Sequence, residues 1–147
     1  MKRILLVGNI GCGKTTLCQA INGMALDYKK TQAIEVINRT IDTPGEYLEQ
    51  RGYLKGLRVT SVETDLVLFL QEAAQLRFMY SPGLAAAFPV PVAGVVTKID
   101  ISAPGDIKEA RELLALAGAD PVFEVSATTG EGLGPLLRFL DADGDAQ

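Results

Sequence analysis

Near the start of the chain, Gly8-Asn9-Ile10-Gly11-Cys12-Gly13-Lys14-Thr15 fits the pattern G-x-x-x-x-G-K-[ST]. This combination suits the holding of phosphate groups. Small residues let successive backbone N–H groups turn inward around an anion. A helix opening at Lys14 would add its positive end to the same spot. Lys14 is then expected to reach the β- and γ-phosphates, and the Thr15 hydroxyl to ligate Mg²⁺, with Thr16 continuing the binding segment. The expected ligand is a nucleoside triphosphate or diphosphate. The loop alone leaves adenine and guanine nucleotides equally open.

Three later stretches bear on that choice. Asp42-Thr43-Pro44-Gly45 is a D-x-x-G sequence at the end of a strand-like run. There the Asp42 carboxylate can hold Mg²⁺ through water, and the Gly45 N–H can bond the γ-phosphate. Thr97-Lys98-Ile99-Asp100 closes the apolar run VAGVVT. A carboxylate at Asp100 accepts two hydrogen bonds, from N1–H and N2–H₂ of guanine, an arrangement adenine does not offer. Lys98 would lay its aliphatic stem across the base. Ser126-Ala127-Thr128 ends the last strand-like run, where the Ala127 N–H can meet guanine O6.

These residues need a scaffold that brings distant points of the chain together. Strand patterns run over Arg3–Val7, Ile34–Ile37, Thr40–Asp42, Leu66–Leu70, Val92–Thr97 and Val122–Val125. The runs LVLFL, VAGVVT and VFEV are nearly all apolar, as strands covered on both faces must be. Helical patterns fall between them, at Thr15–Met24, Gly52–Glu63, Pro82–Phe88, Asp106–Ala117 and Leu133–Asp141. Within Asp106–Ala117 the apolar residues Ile107, Ala110, Leu113, Leu114 and Ala117 mark one buried face, and Gly118 supplies a stop. Alternation of this kind predicts an α/β fold: a mostly parallel sheet of about six strands with helices on both faces. The motifs fall at carboxyl ends of strands, where ligands bind open α/β sheets. Residues 1–141 are expected to form one domain, and 142–147 a frayed tail in the acidic stretch DADGDAQ.

Composition narrows the classes of function. With 48% hydrophobic and 22% charged residues, the 147-residue chain has the balance of an ordinary globular domain. A net charge of −4 argues against broad nucleic-acid or anionic-membrane binding. No apolar run reaches the roughly 20 residues a membrane span requires. The five apolar residues before Gly8 are too few for a secretion signal, so the expected location is the cytoplasm. Two cysteines, Cys12 and Cys18, make neither a disulfide framework nor a zinc site. The absence of histidine removes Ser-His-Asp and Cys-His catalysis.

Together GNIGCGKT, DTPG, TKID and SAT resemble the phosphate, magnesium and guanine motifs of Ras-like, translation-factor-related P-loop GTPases, and SATTGEGLGPLL is especially similar. The stretch KKTQAIE followed by IDTPGEYLE resembles the EutP/PduV family, small P-loop proteins of bacterial ethanolamine and propanediol utilisation. This resemblance implies a three-layer P-loop fold, GTP or GDP as bound nucleotide, and Mg²⁺ held by Thr15, Asp42 and Thr31. Thr31 would be the switch threonine, contacting Mg²⁺ and the γ-phosphate; as a bare sequence feature it also reads as a turn residue in a polar loop. Family membership further implies a link to bacterial microcompartments, with a shell or cargo protein as partner.

Some residues depart from the pattern. Thr97 replaces the asparagine of N-K-x-D, and a hydroxyl makes fewer hydrogen bonds than an amide. Ile10 puts bulk where many Ras-like proteins have glycine. Glu46 stands where Ras-type proteins carry a water-positioning glutamine. Its carboxylate can accept a proton from water but repels the γ-phosphate, and it reads first as a surface residue at a helix start. Gly11 replaces the asparagine that holds potassium in some relatives. Slow GTP hydrolysis, by a switch or assembly factor, is the leading expectation. Transfer of the γ-phosphate to a short-chain carboxylate such as acetate is the alternative.

Overall fold

The computed structural model describes residues 2–9, 16–21, 34–41, 62–73 and 82–145. Five strands lie among them: β1 (Lys2–Asn9), β2 (Ile34–Ile41), β3 (Leu66–Glu72), β4 (Val92–Thr97) and β5 (Val122–Glu124). They form one sheet in the order β2-β1-β3-β4-β5, with every pairing parallel. Residues 16–21 are helical (α1), followed in chain order by α2 (Pro104–Leu116) and α3 (Leu133–Asp145). Two short 3₁₀ segments, Leu84–Ala87 and Ile99–Ile101, flank β4.

The expectation of about six strands is corrected to five among the described residues. The sequence runs Ile34–Ile37 and Thr40–Asp42 are parts of one strand, β2, which pairs with β1 without a break from Lys2↔Ile34 to Asn9↔Ile41. Asn38 and Arg39 interrupt the apolar pattern but not the ladder, because backbone hydrogen bonds are indifferent to side-chain polarity. The segment Pro82–Phe88 forms a single 3₁₀ turn rather than an α-helix. The last helix runs on to Asp145, past the boundary expected at Asp141.

Both sheet faces are covered, and the alternation of side chains sorts the core into two clusters. Leu5, Val7, Val67, Phe69, Val92 and Val96 point to the face covered by α2, where they meet Ala110 and Leu114. Phe69 also meets Phe88 edge-on, with ring centroids 5.7 Å apart. Ile4, Leu6, Leu66, Leu68, Leu70, Ala93 and Val95 point to the other face. There they pack with Leu17 and Ile21 of α1 and with Leu133, Leu136, Leu137 and Leu140 of α3. Burial on both faces explains why LVLFL and VAGVVT are almost wholly apolar. VFEV, expected to be covered likewise, is only partly buried over Val122–Glu124, because β5 is the edge strand among the described residues.

Helix α2 has Pro104 in its first turn, where the missing N–H costs nothing. It ends as its sequence predicts. Gly118 takes φ +97°, its N–H bonds to Ala115 O, and the next N–H, of Ala119, bonds to Leu114 O. The chain thereby leaves the helix and returns to β5.

Candidate functional site

At the carboxyl end of β4, Thr97 is buried at 4% exposure. Its carbonyl accepts a hydrogen bond from the Ala73 N–H of the neighbouring strand at 3.2 Å. Lys98 then turns the chain sharply. Its φ of 60° and ψ of 38° are left-handed, a conformation rarely adopted by a residue with a side chain. Two bonds hold the turn. The Ser102 hydroxyl donates to Lys98 O at 2.7 Å, and Ile99 N–H donates to Val125 O at 3.3 Å. The second bond ties this turn to the end of β5. Asp100 lies in the 3₁₀ segment that follows and is exposed.

The loop after β5 is built as tightly. Ser126 is fully buried; its N–H donates to Glu131 O and its carbonyl accepts from Gly130 N–H, both at 2.8 Å. Its hydroxyl oxygen accepts the Thr129 N–H at 3.1 Å, and Thr129 Oγ1 accepts the Glu131 N–H at 3.2 Å. Gly132 closes the loop with φ +78°, and a Cβ there would collide with the carbonyl oxygen of Glu124. These contacts give SATTGEG a physical reading: serine and threonine hydroxyls cap turn N–H groups, and glycine permits the return past β5.

These two ends meet α1 around one cavity of about 70 Å³. The β4 end contributes Thr97, Lys98 and Asp100, and the β5 end contributes Val125, Ala127 and Thr128. Thr16 and Leu17 of α1 form the remaining wall. Six of the sequence-predicted site residues therefore line one space: Thr16, Thr97, Lys98, Asp100, Ala127 and Thr128. Ser126 is not among the lining residues; fully buried, it holds together the loop that carries Ala127 and Thr128. Gly8 is buried towards the end of β1, and Asn9 is that strand's last residue. Ile10, Gly11, Cys12, Gly13, Lys14, Thr15, Thr31, Asp42, Gly45 and Glu46 lie outside the described residues.

One polar contact at this cavity joins a residue that none of the motifs includes. Lys98 Nζ donates to Glu72 Oε1, at the end of β3, across 3.3 Å. Leu17 was likewise missed as a site residue, being one of many apolar helix positions; its signal is its place two residues after Thr15.

Comparison with known proteins bears on what such a scaffold belongs to. The model of the family described as ethanolamine utilisation - propanediol utilisation, PduV-EutP, matches residues 1–142. The chain belongs to the PduV-EutP family. Propanediol utilization protein PduV of Citrobacter freundii is 42% identical over 142 residues, covering 97% of this chain and 95% of that protein. A second relative, the probable acetate kinase EutP of Escherichia coli (strain K12), is 32% identical, covering 95% of this chain and 89% of that protein. Among solved structures, the FeoB G-domain from Methanococcus jannaschii aligns with a TM-score of 0.66 at 18% identity, over 97% of this chain and 98% of that one. Translation elongation factor SelB from Methanococcus maripaludis, in its apo form, aligns with a TM-score of 0.67 at 16% identity, over 99% of this chain and 33% of that one. This PduV-EutP family chain thus has the fold of P-loop GTPase G domains, as its motifs led one to expect. No helix among the described residues is long and apolar enough to cross a membrane.

Proposed function

We propose that the chain binds guanine nucleotides and slowly hydrolyses GTP, acting as a switch or assembly factor in ethanolamine or propanediol utilisation. The observation that carries this reading is the shared cavity. It gathers Thr16 and Leu17, just past the phosphate loop, with Thr97, Lys98 and Asp100 and with Ala127 and Thr128. In this reading Asp100 accepts the guanine N1–H and N2–H₂, Ala127 N–H donates to O6, and the Lys98 stem covers the ring. Thr97, Ser126 and Thr128 shape the walls.

Gly8 to Thr16 cradles the phosphates, with Lys14 on the β- and γ-phosphates. The hydroxyls of Thr15 and Thr31 and the carboxylate of Asp42 are hard oxygen donors of the kind Mg²⁺ prefers, and they would hold it. The ion, when bound, neutralises charge on the phosphate oxygens. Water attacks the γ-phosphorus in line, the bond to the bridging oxygen breaks, and that oxygen leaves on GDP while the water proton passes to the phosphate product. Gly45 N–H would hold the γ-phosphate, and Glu46 would stand at the attacking side. Catalysis is by positioning and electrostatics. A microcompartment shell or cargo protein would read the bound state, in the cytoplasm.

A second reading is favoured by the relatives called probable acetate kinase EutP. In it a carboxylate oxygen of acetate replaces water, forming an acyl phosphate and GDP. Single-turnover incubation with γ-labelled GTP or ATP and Mg²⁺, with and without acetate or propionate, separates the two. Free phosphate from GTP is expected to appear first. Acyl phosphate appearing faster than free phosphate would replace hydrolysis by transfer, and a preference for ATP would remove the role given to Asp100.

A further inference from the structure

Glu72 is the last residue of β3, and the parallel register sets it opposite Thr97. The chain therefore delivers Lys98, one residue further on, beside Glu72 although 26 positions separate them. The two side chains join through Lys98 Nζ and Glu72 Oε1 at 3.3 Å. Glu72 is the more deeply set partner, its side chain 13% exposed against 36% for Lys98. The lysine is thus held at two points. Its backbone is fixed in the left-handed turn by the Ser102 hydroxyl, and its ammonium is held by Glu72. Lys98, so held, is one of the residues that line the cavity.

A free lysine side chain samples many rotamers, and ordering it on binding costs affinity. We propose that Glu72 is a positioning residue, whose carboxylate holds the Lys98 stem in place as a ready platform for the flat face of a purine base. The proposal rests on the nucleotide reading of this cavity and adds a division of labour to it. Contact with a ring face is indifferent to the ring's edge. Glu72 therefore strengthens binding of purine nucleotides in general, whereas Asp100 chooses among them.

The test is stopped-flow release of N-methylanthraniloyl-labelled GDP and inosine diphosphate. The proteins compared are the wild type, Glu72→Gln, Glu72→Asp, Lys98→Met and the Glu72→Gln/Lys98→Met double variant, each with its melting temperature. Glu72→Gln keeps the shape and removes the charge. It is expected to speed release of both labelled nucleotides by the same factor, about two- to fivefold for a partly buried pair. Glu72→Asp should recover part of that loss, and the Gln substitution should change nothing further once Lys98 is Met. Release that is unchanged or slower in Glu72→Gln overturns the proposal, as does an effect that persists in the Lys98→Met background. Wild-type protein that fails to bind labelled GDP overturns both this proposal and the guanine-nucleotide reading. Normal wild-type binding with an unaffected Glu72→Gln overturns this one alone.

Discussion

Gly130 and Gly132 offer a controlled comparison within one loop. Both have positive φ, +87° and +78°, so an alanine at either position carries a similar backbone cost, about 1–2 kcal/mol. They differ in the space available. A Cβ on Gly130 meets nothing within 4 Å, while one on Gly132 runs into the Glu124 carbonyl oxygen, a backbone atom that cannot swing aside. Gly132→Ala must therefore displace the loop from the end of β5. That endangers the paired bonds of Ser126 with Glu131 and Gly130, each worth about 1 kcal/mol. The sum for Gly132→Ala is about 3–4 kcal/mol. For a domain of this size, that lowers the melting temperature by about 6–16 °C, against about 2–8 °C for Gly130→Ala. Because the displaced loop carries Ala127, labelled GDP should also leave the Gly132 variant faster than the Gly130 variant. Thermal denaturation followed by circular dichroism reads the first quantity and stopped-flow fluorescence the second. Equal melting temperatures for the two variants would refute the reasoning, since the clash would then have cost nothing.

Two other substitutions test the site and the scaffold separately. Asp100→Asn replaces a charged acceptor of two hydrogen bonds with an amide, and GTP affinity should fall about 30–100-fold. XTP, whose 2-position is a carbonyl, should bind the variant better than GTP does; competition against labelled nucleotide checks this, and no change in preference would mean that Asp100 does not face the base. Leu114→Ala empties a fully buried position where α2 packs on β4, costing about 3 kcal/mol and about 6–12 °C of melting temperature. Nucleotide preference should stay as in the wild type, because Leu114 packs on the sheet face opposite α1.

Much of this architecture is legible in the residues because each signal has a local cause. LVLFL and VAGVVT are almost wholly apolar since both sheet faces are covered, and Gly118 stops α2 because the chain needs a left-handed residue there. TKID and SAT converge on one cavity because each ends a strand of the same parallel sheet. Elsewhere the cause is non-local. Asn38 and Arg39 split β2 in the sequence pattern, yet pairing with β1 continues through both. Ala142 to Asp145 read as a tail, but a helix already nucleated and anchored by Leu136, Leu137 and Leu140 extends at small cost per residue. Glu72 gave no signal at all. Its role exists only in the register that sets β3 beside β4.

The same register divides the site along the sheet. The cavity lies at the ends of β4 and β5, whereas the residues assigned to the γ-phosphate and Mg²⁺ follow β1 and β2 in the chain. In the proposed reading, choice of base and choice of phosphate acceptor thus fall to separate parts of the chain. Hydrolysis and transfer to a carboxylate place the same demands on Asp100, Lys98 and Ala127, because the base is remote from the reacting phosphorus in either reaction. Evidence that guanine is preferred therefore supports both readings equally. What separates them is the group at the attacking side, which the proposed reading assigns to Glu46 and where a carboxylate would have opposite consequences. A carboxylate there tolerates neutral water, whereas acetate arrives already deprotonated and would be repelled by it. Under the proposed reading, a carboxylate at Glu46 would on electrostatic grounds favour water as the acceptor.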